Sequence, residues 1–592
     1  MRIKWFSFIR VTGLLLVLLY HFFKNSFPGG FIGVDVFFTF SGFLITALMI
    51  DEYSKTKTID IIGFYRRRFY RIVPPLVLMV LFVIPFTFLV KSDFVASIGH
   101  QIAATFGFTT NFYEILTGSS YESQFIPHLF VHTWSLAIEV HFYILWALVV
   151  WFLAKKDYEE KQLRGVLFII STAIFLVSYL TMFIRAFFTP NLSLIYFSSL
   201  SHIFPFFIGA MFATTTGIKD TTLRFQKNVR LWPRKYMIGV MVGAFALLFL
   251  LTLSLDFNHT MTYLFGFVLA SLFTAVMIYA ARTLHEQTPD LEEPKVVTYI
   301  ADISYGVYLF HWPFYIIFTQ LTSNILAVIL TLFFSTLFAS LSYYILEPLI
   351  AGKSPKLLGL EVDFKPYKKW LCLGALALLF LTIGRSWTAP AVGKFERELT
   401  VGALQQSQNN INRTHTLAAG DANALSDVSI IGDSVALRSS TAFAKIMPAA
   451  QLDAAVSRNF SIAYDIFENH IKSKTLSKTT VLAVGVNSLY NYKEDLQKFI
   501  DNLPKGSRLV LVSPYNSKNP AQTAEARDYE LSLAKKYSYV TVADWYKVAV
   551  ENPDIWVGSD GVHYSDADTK GAELYVNTIK NAIEQAAKKK AK

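Results

Sequence analysis

A chain of 592 residues that is 53% hydrophobic and 16% aromatic is too long for one domain and too apolar to be soluble throughout. Its formal net charge of +11 comes without a nucleic-acid-binding motif, which sets that class of partner aside. A lone cysteine, Cys372, excludes an intramolecular disulfide, so any part outside the membrane must rest on its own core.

Apolar runs long enough to cross a hydrocarbon layer of ~30 Å fall at 8–23, 31–50, 73–91, 134–153, 165–187, 195–213, 236–255, 260–282, 300–320, 323–347 and 369–386. The pattern predicts a polytopic α-helical membrane domain of about eleven transmembrane helices. Basic residues collect after the second, fourth, sixth and tenth runs, in 55–71, 155–164, 219–235 and 353–369, while the intervening loops hold little beyond Lys24 and Lys91. By the positive-inside rule the N-terminus is cytoplasmic, and an odd number of spans puts the C-terminal part outside a multi-pass cell-membrane protein. The first run lacks a small-residue cleavage pattern and reads as a retained helix.

Ionisable groups inside lipid are costly and therefore functional candidates, which singles out Arg10, His21, Asp35, Glu139, Arg185 and His311. Arg10 and His21 lie eleven residues, or three helical turns, apart on nearly one face; two interfacial anchors would show the same spacing. Asp35 and Ser41 share a glycine-flanked segment. Arg66, Arg67, Arg68 and Arg71 form a cytoplasmic cluster able to grip a polyphosphate, although topology signals alone would look the same.

Residues 351–386 read as a cytoplasmic loop and a final span, and 387–426, rich in Gln, Asn, Thr and Ala, as a linker or a loosely packed collar. From 427 to 592 short β-branched runs at 428–431, 480–484 and 508–512 alternate with helical stretches, which predicts an α/β domain with a parallel sheet. Gly432-Asp433-Ser434 and Gly485-Val486-Asn487 follow two of these runs, where an α/β sheet meets its ligands. His563 can take the proton of Ser434, Asp560 can fix the imidazole, and Asn487 beside Gly485 can donate to an oxyanion. Each motif alone is also an ordinary turn, and Ser565 with Asp568 can cap a terminal helix. No Cys/His cluster has metal-ligand spacing.

As a set, these blocks resemble the SGNH family of serine esterases and acetyltransferases over about 427–590. The resemblance implies Ser434 as nucleophile, His563 as base and Asp560 as its orienting acid. Asn487 and the second-block position complete an oxyanion hole; Ser457 occupies that position, where the family usually has Gly. Arg10 and His21, residues 33–46, Arg66 to Pro74, 133–139 and 304–311 resemble the membrane acyltransferase-3 family over 1–350. In that family a tyrosine in the sixth span carries the acyl group, and Tyr196 matches it, but the Thr-Asp-Thr-Arg that often follows is Ser199-Leu200-Ser201-His202 here.

The fusion is similar to the peptidoglycan O-acetyltransferases of Gram-positive bacteria. That resemblance implies acetyl-CoA as donor with no bound cofactor, the muramoyl C6 hydroxyl of glycan strands as acceptor, and lysozyme resistance as outcome. Acetylation of another surface or secreted polysaccharide, of O-antigen type, is a second reading. A transporter with an attached binding domain is a third, and predicts no acyl-serine and an internal repeat.

Overall fold

The computed structural model describes residues 3–117, 127–189, 191–357, 360–361, 363–418, 427–487, 489, 492–517, 519–557, 559–565 and 570–592. It divides into two compact units, Met1–Ala391 and Val392–Lys592.

The first unit is helical. Its principal helices are α1 (Phe6–Phe22), α2 (Gly33–Thr56), α3 (Ile61–Val83), α4 (Trp134–Ala154), α5 (Glu160–Phe188), α6 (Phe204–Thr216), α7 (Arg234–Ser254), α8 (Phe267–Gln287), α9 (Lys295–Thr319), α10 (Asn324–Leu341) and α11 (Lys368–Thr388). Among the described residues eight helices are long and apolar enough to span a membrane. The other three expected spans differ from that ideal: α1 has 17 residues, α6 only 13, and the 25-residue α9 carries Lys295, Asp302 and His311 in its sequence.

Two expected boundaries shift. The third span begins at Ile61, so the arginines ride on helix α3 itself, and Pro74 and Pro75 lie within that helix instead of opening it. The sixth is broken into turns at Ser193–Tyr196 and Ser199–His202 before α6, because Ser198 is extended and Pro205 starts a helix better than it continues one.

The packing is inverted relative to a soluble protein. Leu145, Phe152, Ile169, Phe188, Leu250 and Phe333 are exposed, whereas Asp35, His202, Arg282 and His311 are fully buried. Apolar belts facing outward and ionisable groups facing inward are what lipid demands of a multi-pass membrane protein. At the centre α2 crosses α6 at backbone contact: a Cβ on Gly42 would lie 1.9 Å from the Phe206 carbonyl oxygen, and one on Gly209 1.9 Å from that of Thr39. Small residues permit this approach and lock the helix that bears Asp35 and Ser41.

The second unit opens with α12 (Lys394–Ala418), where the composition had predicted a linker. Its buried positions, Phe395, Leu399 and Gly402, recur at helical spacing, and this narrow stripe is enough to dock an otherwise polar helix. An α/β sandwich follows: β1 (Val428–Gly432), α13 (Ser434–Arg438), α14 (Ser440–Ile446), β2 (Gln451–Ala454), α15 (Phe460–Lys472), β3 (Thr479–Ala483), α16 (Tyr492–Asn502), β4 (Arg508–Val512), α17 (Pro520–Lys536), β5 (Val540–Ala543), α18 (Trp545–Glu551) and α19 (Lys570–Ala587).

The five strands are parallel in the order β2-β1-β3-β4-β5. All five residues of β3 are buried, and Ile431, Leu482, Leu509 and Leu511 pack against Phe460, Phe467 and Phe499 to form the core. The strand order reverses between β1 and β3, the switch point where such sheets bind ligands. Asp568 falls outside the described residues.

Candidate active site

Ser434 is the first residue of α13, directly beyond the C-terminal end of β1. Gly432 is in register with Ala454 of β2 on one side and Ala483 of β3 on the other. The loops holding Ser457 and Asn487 therefore flank the serine. Asp433 caps α13, its carboxylate accepting the Val435 amide at 2.9 Å. Burial pushes the Asp433 carboxyl up to about 7.

His563 Nε2 lies 2.8 Å from Ser434 Oγ, and His563 Nδ1 lies 2.7 Å from Asp560 Oδ2. The other Asp560 oxygen accepts the Val562 and His563 amides at 2.8 and 2.7 Å. Burial works against the Asp560 charge, but His563 and these donors outweigh it and hold the carboxyl below its ordinary range. A carboxylate at Nδ1 makes that nitrogen the N–H and leaves the Nε2 lone pair facing the serine hydroxyl. Gly561 adopts φ +85°, which lets the loop turn back so that residue 560 reaches the ring of residue 563.

Ser457 holds φ +58°, the left-handed conformation natural to the glycine whose place it takes. Asn487 donates to the Arg458 carbonyl at 3.2 Å, tying the two flanking loops together, and Gly485 packs on the Pro514 ring. Arg458 is itself fixed by Asp453 at 2.7 Å.

In the membrane unit a cavity of about 140 Å³ brings together Arg10, Ser41, Arg68, Arg71, Glu139 and Tyr143. Ser41 and Tyr143 both donate to the Glu139 carboxylate. Ser135 and Tyr308, bonded at 2.6 Å, also line it. Arg68 and Arg71 share a face of α3. Arg66 and Arg67 are exposed and outside the cavity, Arg67 lying 3.6 Å from Glu52. The four predicted donor-binding arginines thus separate into an inward and an outward pair.

His21 and His311 meet at 2.8 Å between Nδ1 and Nε2. His311 Nδ1 faces the carbonyls of Tyr308 and Val307 at 2.6 and 3.2 Å, so it is the N–H. His311 then accepts through Nε2 the proton that His21 donates from Nδ1. His132, which sequence reasoning missed although it adjoins the 133–139 motif, stands beside them with ring centroids 6.0 Å apart from His311.

Asp35 is paired with His202 at 3.0 Å, both fully buried. His202 stands where the family often has arginine, and it supplies the partner that a buried carboxyl requires. Tyr196 is enclosed by Trp134, His202 and Phe257, at ring distances of 4.4, 4.9 and 5.0 Å. Arg185 donates to Ser201 at 3.0 Å and Ser198 at 3.3 Å.

Residues 3–346 match the family model described as an acyltransferase domain of acyltransferase-3 type. The chain belongs to the acyltransferase-3 family. O-acetyltransferase OatA of Staphylococcus aureus strain NCTC 8325 / PS 47 is 26% identical over 606 residues, covering 96% of this chain and 95% of that protein. OatA of strain MRSA252 is 27% identical with the same coverage. The C-terminal catalytic domain of Streptococcus pneumoniae peptidoglycan O-acetyltransferase A is 41% identical, covering 28% of this chain and 97% of that one, with a TM-score of 0.28. This acyltransferase-3 chain therefore carries O-acetyltransferase relatives along nearly its whole length.

Proposed function

We propose that the chain takes acetyl groups from cytoplasmic acetyl-CoA, passes them across the membrane to Ser434, and transfers them to the C6 hydroxyl of N-acetylmuramic acid in peptidoglycan, conferring resistance to lysozyme. The observation that carries this reading is the hydrogen-bonded line from Ser434 through His563 to Asp560, in a chain whose other unit is an acyltransferase-3 domain. The acceptor sugar follows from the family resemblance. The N-terminus is cytoplasmic and the second unit extracytoplasmic.

On the membrane side, Arg68 and Arg71 suit the donor's phosphates, since guanidinium forks bind them in pairs of hydrogen bonds. Arg10, Ser41, Glu139 and Tyr143 surround the place a thioester would occupy. His21, hydrogen-bonded to His311, can take the proton of an attacking hydroxyl and return it to the departing thiolate.

On the outer side the chemistry is double displacement. His563 Nε2 takes the Ser434 proton while Oγ attacks the acetyl carbon; the bond to the donor breaks and its leaving atom takes that proton. The sugar hydroxyl then gives its proton to His563 and attacks the ester, and Ser434 Oγ leaves with the proton returned. The Ser434 amide, the Ser457 position and the Asn487 amide receive the developing oxyanion, each donor being worth about 3 kcal/mol.

The test is mass spectrometry of the detergent-solubilised chain after exposure to 4-nitrophenyl acetate. An acetyl group on the Ser434 peptide, absent in Ser434→Ala, is expected. Equal acetylation of the variant would refute the assignment of the nucleophile.

A further inference from the structure

Helix α12 reaches the catalytic line. The Phe395 ring packs edge-on against the His563 imidazole, centroids 4.8 Å apart at 66°. The Arg438 guanidinium lies 4.9 Å from the Phe395 ring and 5.3 Å from that of Tyr564, donates to the Tyr564 carbonyl at 2.6 Å, and pairs with Glu398 at 3.1 Å. Arg438 closes the helix that begins with the nucleophile, and Tyr564 follows the base. One guanidinium thus binds the serine helix, the histidine loop and α12 into a single body.

Gly402 and Gln406, further along α12, extend the contact. A Cβ on Gly402 would lie 2.8 Å from Ser440 Oγ and 2.9 Å from the Leu437 carbonyl oxygen, so α12 touches the end of α13. Further on, Gln406 bonds both the amide and the carbonyl of Ala454 at 2.9 and 3.1 Å, finishing the edge strand β2. Ser434 and His563 are each 1% exposed and Phe395 8%. By contrast Ser457 is open to solvent and Asn487 half-buried, so the crevice opens on the oxyanion side and is walled on the histidine side.

We infer that α12 is a fixed wall of the active site and that Phe395 is a positioning residue for His563. The inference rests on the reading of Ser434 and His563 as nucleophile and base. An edge-on ring leaves imidazole one orientation, with Nε2 on Ser434, and bars water from that side of the acyl-serine. Both effects favour attack by a sugar hydroxyl entering past Ser457 and Asn487 over attack by water. The segment that leads out of the membrane unit then sets the balance between transfer and hydrolysis.

The full-length protein in detergent, given 4-nitrophenyl acetate and a chitooligosaccharide, reports both reactions: nitrophenol release gives total turnover, and mass spectrometry gives acetylated sugar. Phe395→Ala should lower kcat for transfer about tenfold and raise the hydrolysis-to-transfer ratio, with KM for the oligosaccharide within twofold of the parent. Phe395→Leu, which keeps the apolar cover, should restore most of the ratio. Gly402→Leu, which forces α12 from α13 with Phe395 intact, should raise the ratio as Phe395→Ala does. Unchanged kcat and ratio in Phe395→Ala and Gly402→Leu, with Ser434→Ala inactive, would overturn the wall while leaving the nucleophile in place. Activity retained by Ser434→Ala would instead overturn the underlying reading.

Discussion

At Asp560 the geometry separates charge from orientation. Its carboxylate holds His563 Nδ1 as the donor, and an amide there can present its NH2 instead and turn the imidazole to the wrong tautomer. Asp560→Asn is expected to cut kcat for acetyl transfer by about 10³–10⁴ with little change in fold, read by transfer kinetics alongside circular dichroism. Ser457 offers a stability test. A side chain at φ +58° carries a penalty that glycine lacks, so Ser457→Gly should stabilise the second unit by about 1 kcal/mol, seen as stronger hydrogen-exchange protection of its sheet amides. Glu530, buried on α17 with the Asp544 charge nearby, has its carboxyl pushed up to about 8. The folded form therefore keeps a proton that the unfolded chain has lost above about pH 4.5, and stability falls as pH rises towards 8. Glu530→Gln should flatten that fall by roughly 4 kcal/mol between pH 4.5 and 8, measured by the same exchange protection. The serine, histidine and aspartate were legible because their motifs follow strands and turns of recognisable composition. His202 and His132 were not, since a single histidine in an apolar run reveals its partner only when distant helices have packed.

The arginines of α3 show what an element adds to a motif. Arg68 and Arg71 line the cavity, and Arg66 and Arg67 face away. Replacing either inward arginine by Gln should raise KM for acetyl-CoA at least about tenfold, while the same change at Arg66 or Arg67 should leave it within about twofold, by steady-state kinetics in proteoliposomes. Sequence periodicity could not make this division, because the span was expected to begin at 73 and the arginines were assigned to a loop. The α2–α6 crossing is equally demanding. A Val at Gly42 must push two backbones apart, and should destabilise the solubilised protein by about 1–3 kcal/mol, detected as a lower midpoint of thermal unfolding. The strands of the sheet were readable from their buried β-branched runs. Helix α12 was not, because its polar composition masked the narrow stripe of Phe395, Leu399 and Gly402, and a docking stripe, not average polarity, decides whether a helix packs.

Across the whole molecule, hydropathy conveyed a multi-pass architecture more faithfully than a count of spans. The runs at α1, α6 and α9 are short, broken or polar where they carry or adjoin His21, the Tyr196–His202 turns and His311, whose side chains pair with other interior groups instead of facing lipid. The two units each hold a cluster of polar groups: one an arginine-lined cavity, the other a serine hydrogen-bonded to a histidine that is bonded in turn to an aspartate. The most direct test uses proteoliposomes of the full chain with acetyl-CoA supplied only on the face bearing the N-terminus and a chitooligosaccharide only on the other. The account predicts O-acetylated sugar on the far side, acetyl on Ser434 when the acceptor is withheld, and loss of both in Ser434→Ala. Acetylated sugar formed equally well by Ser434→Ala, or formed only when donor and acceptor share a compartment, would contradict it.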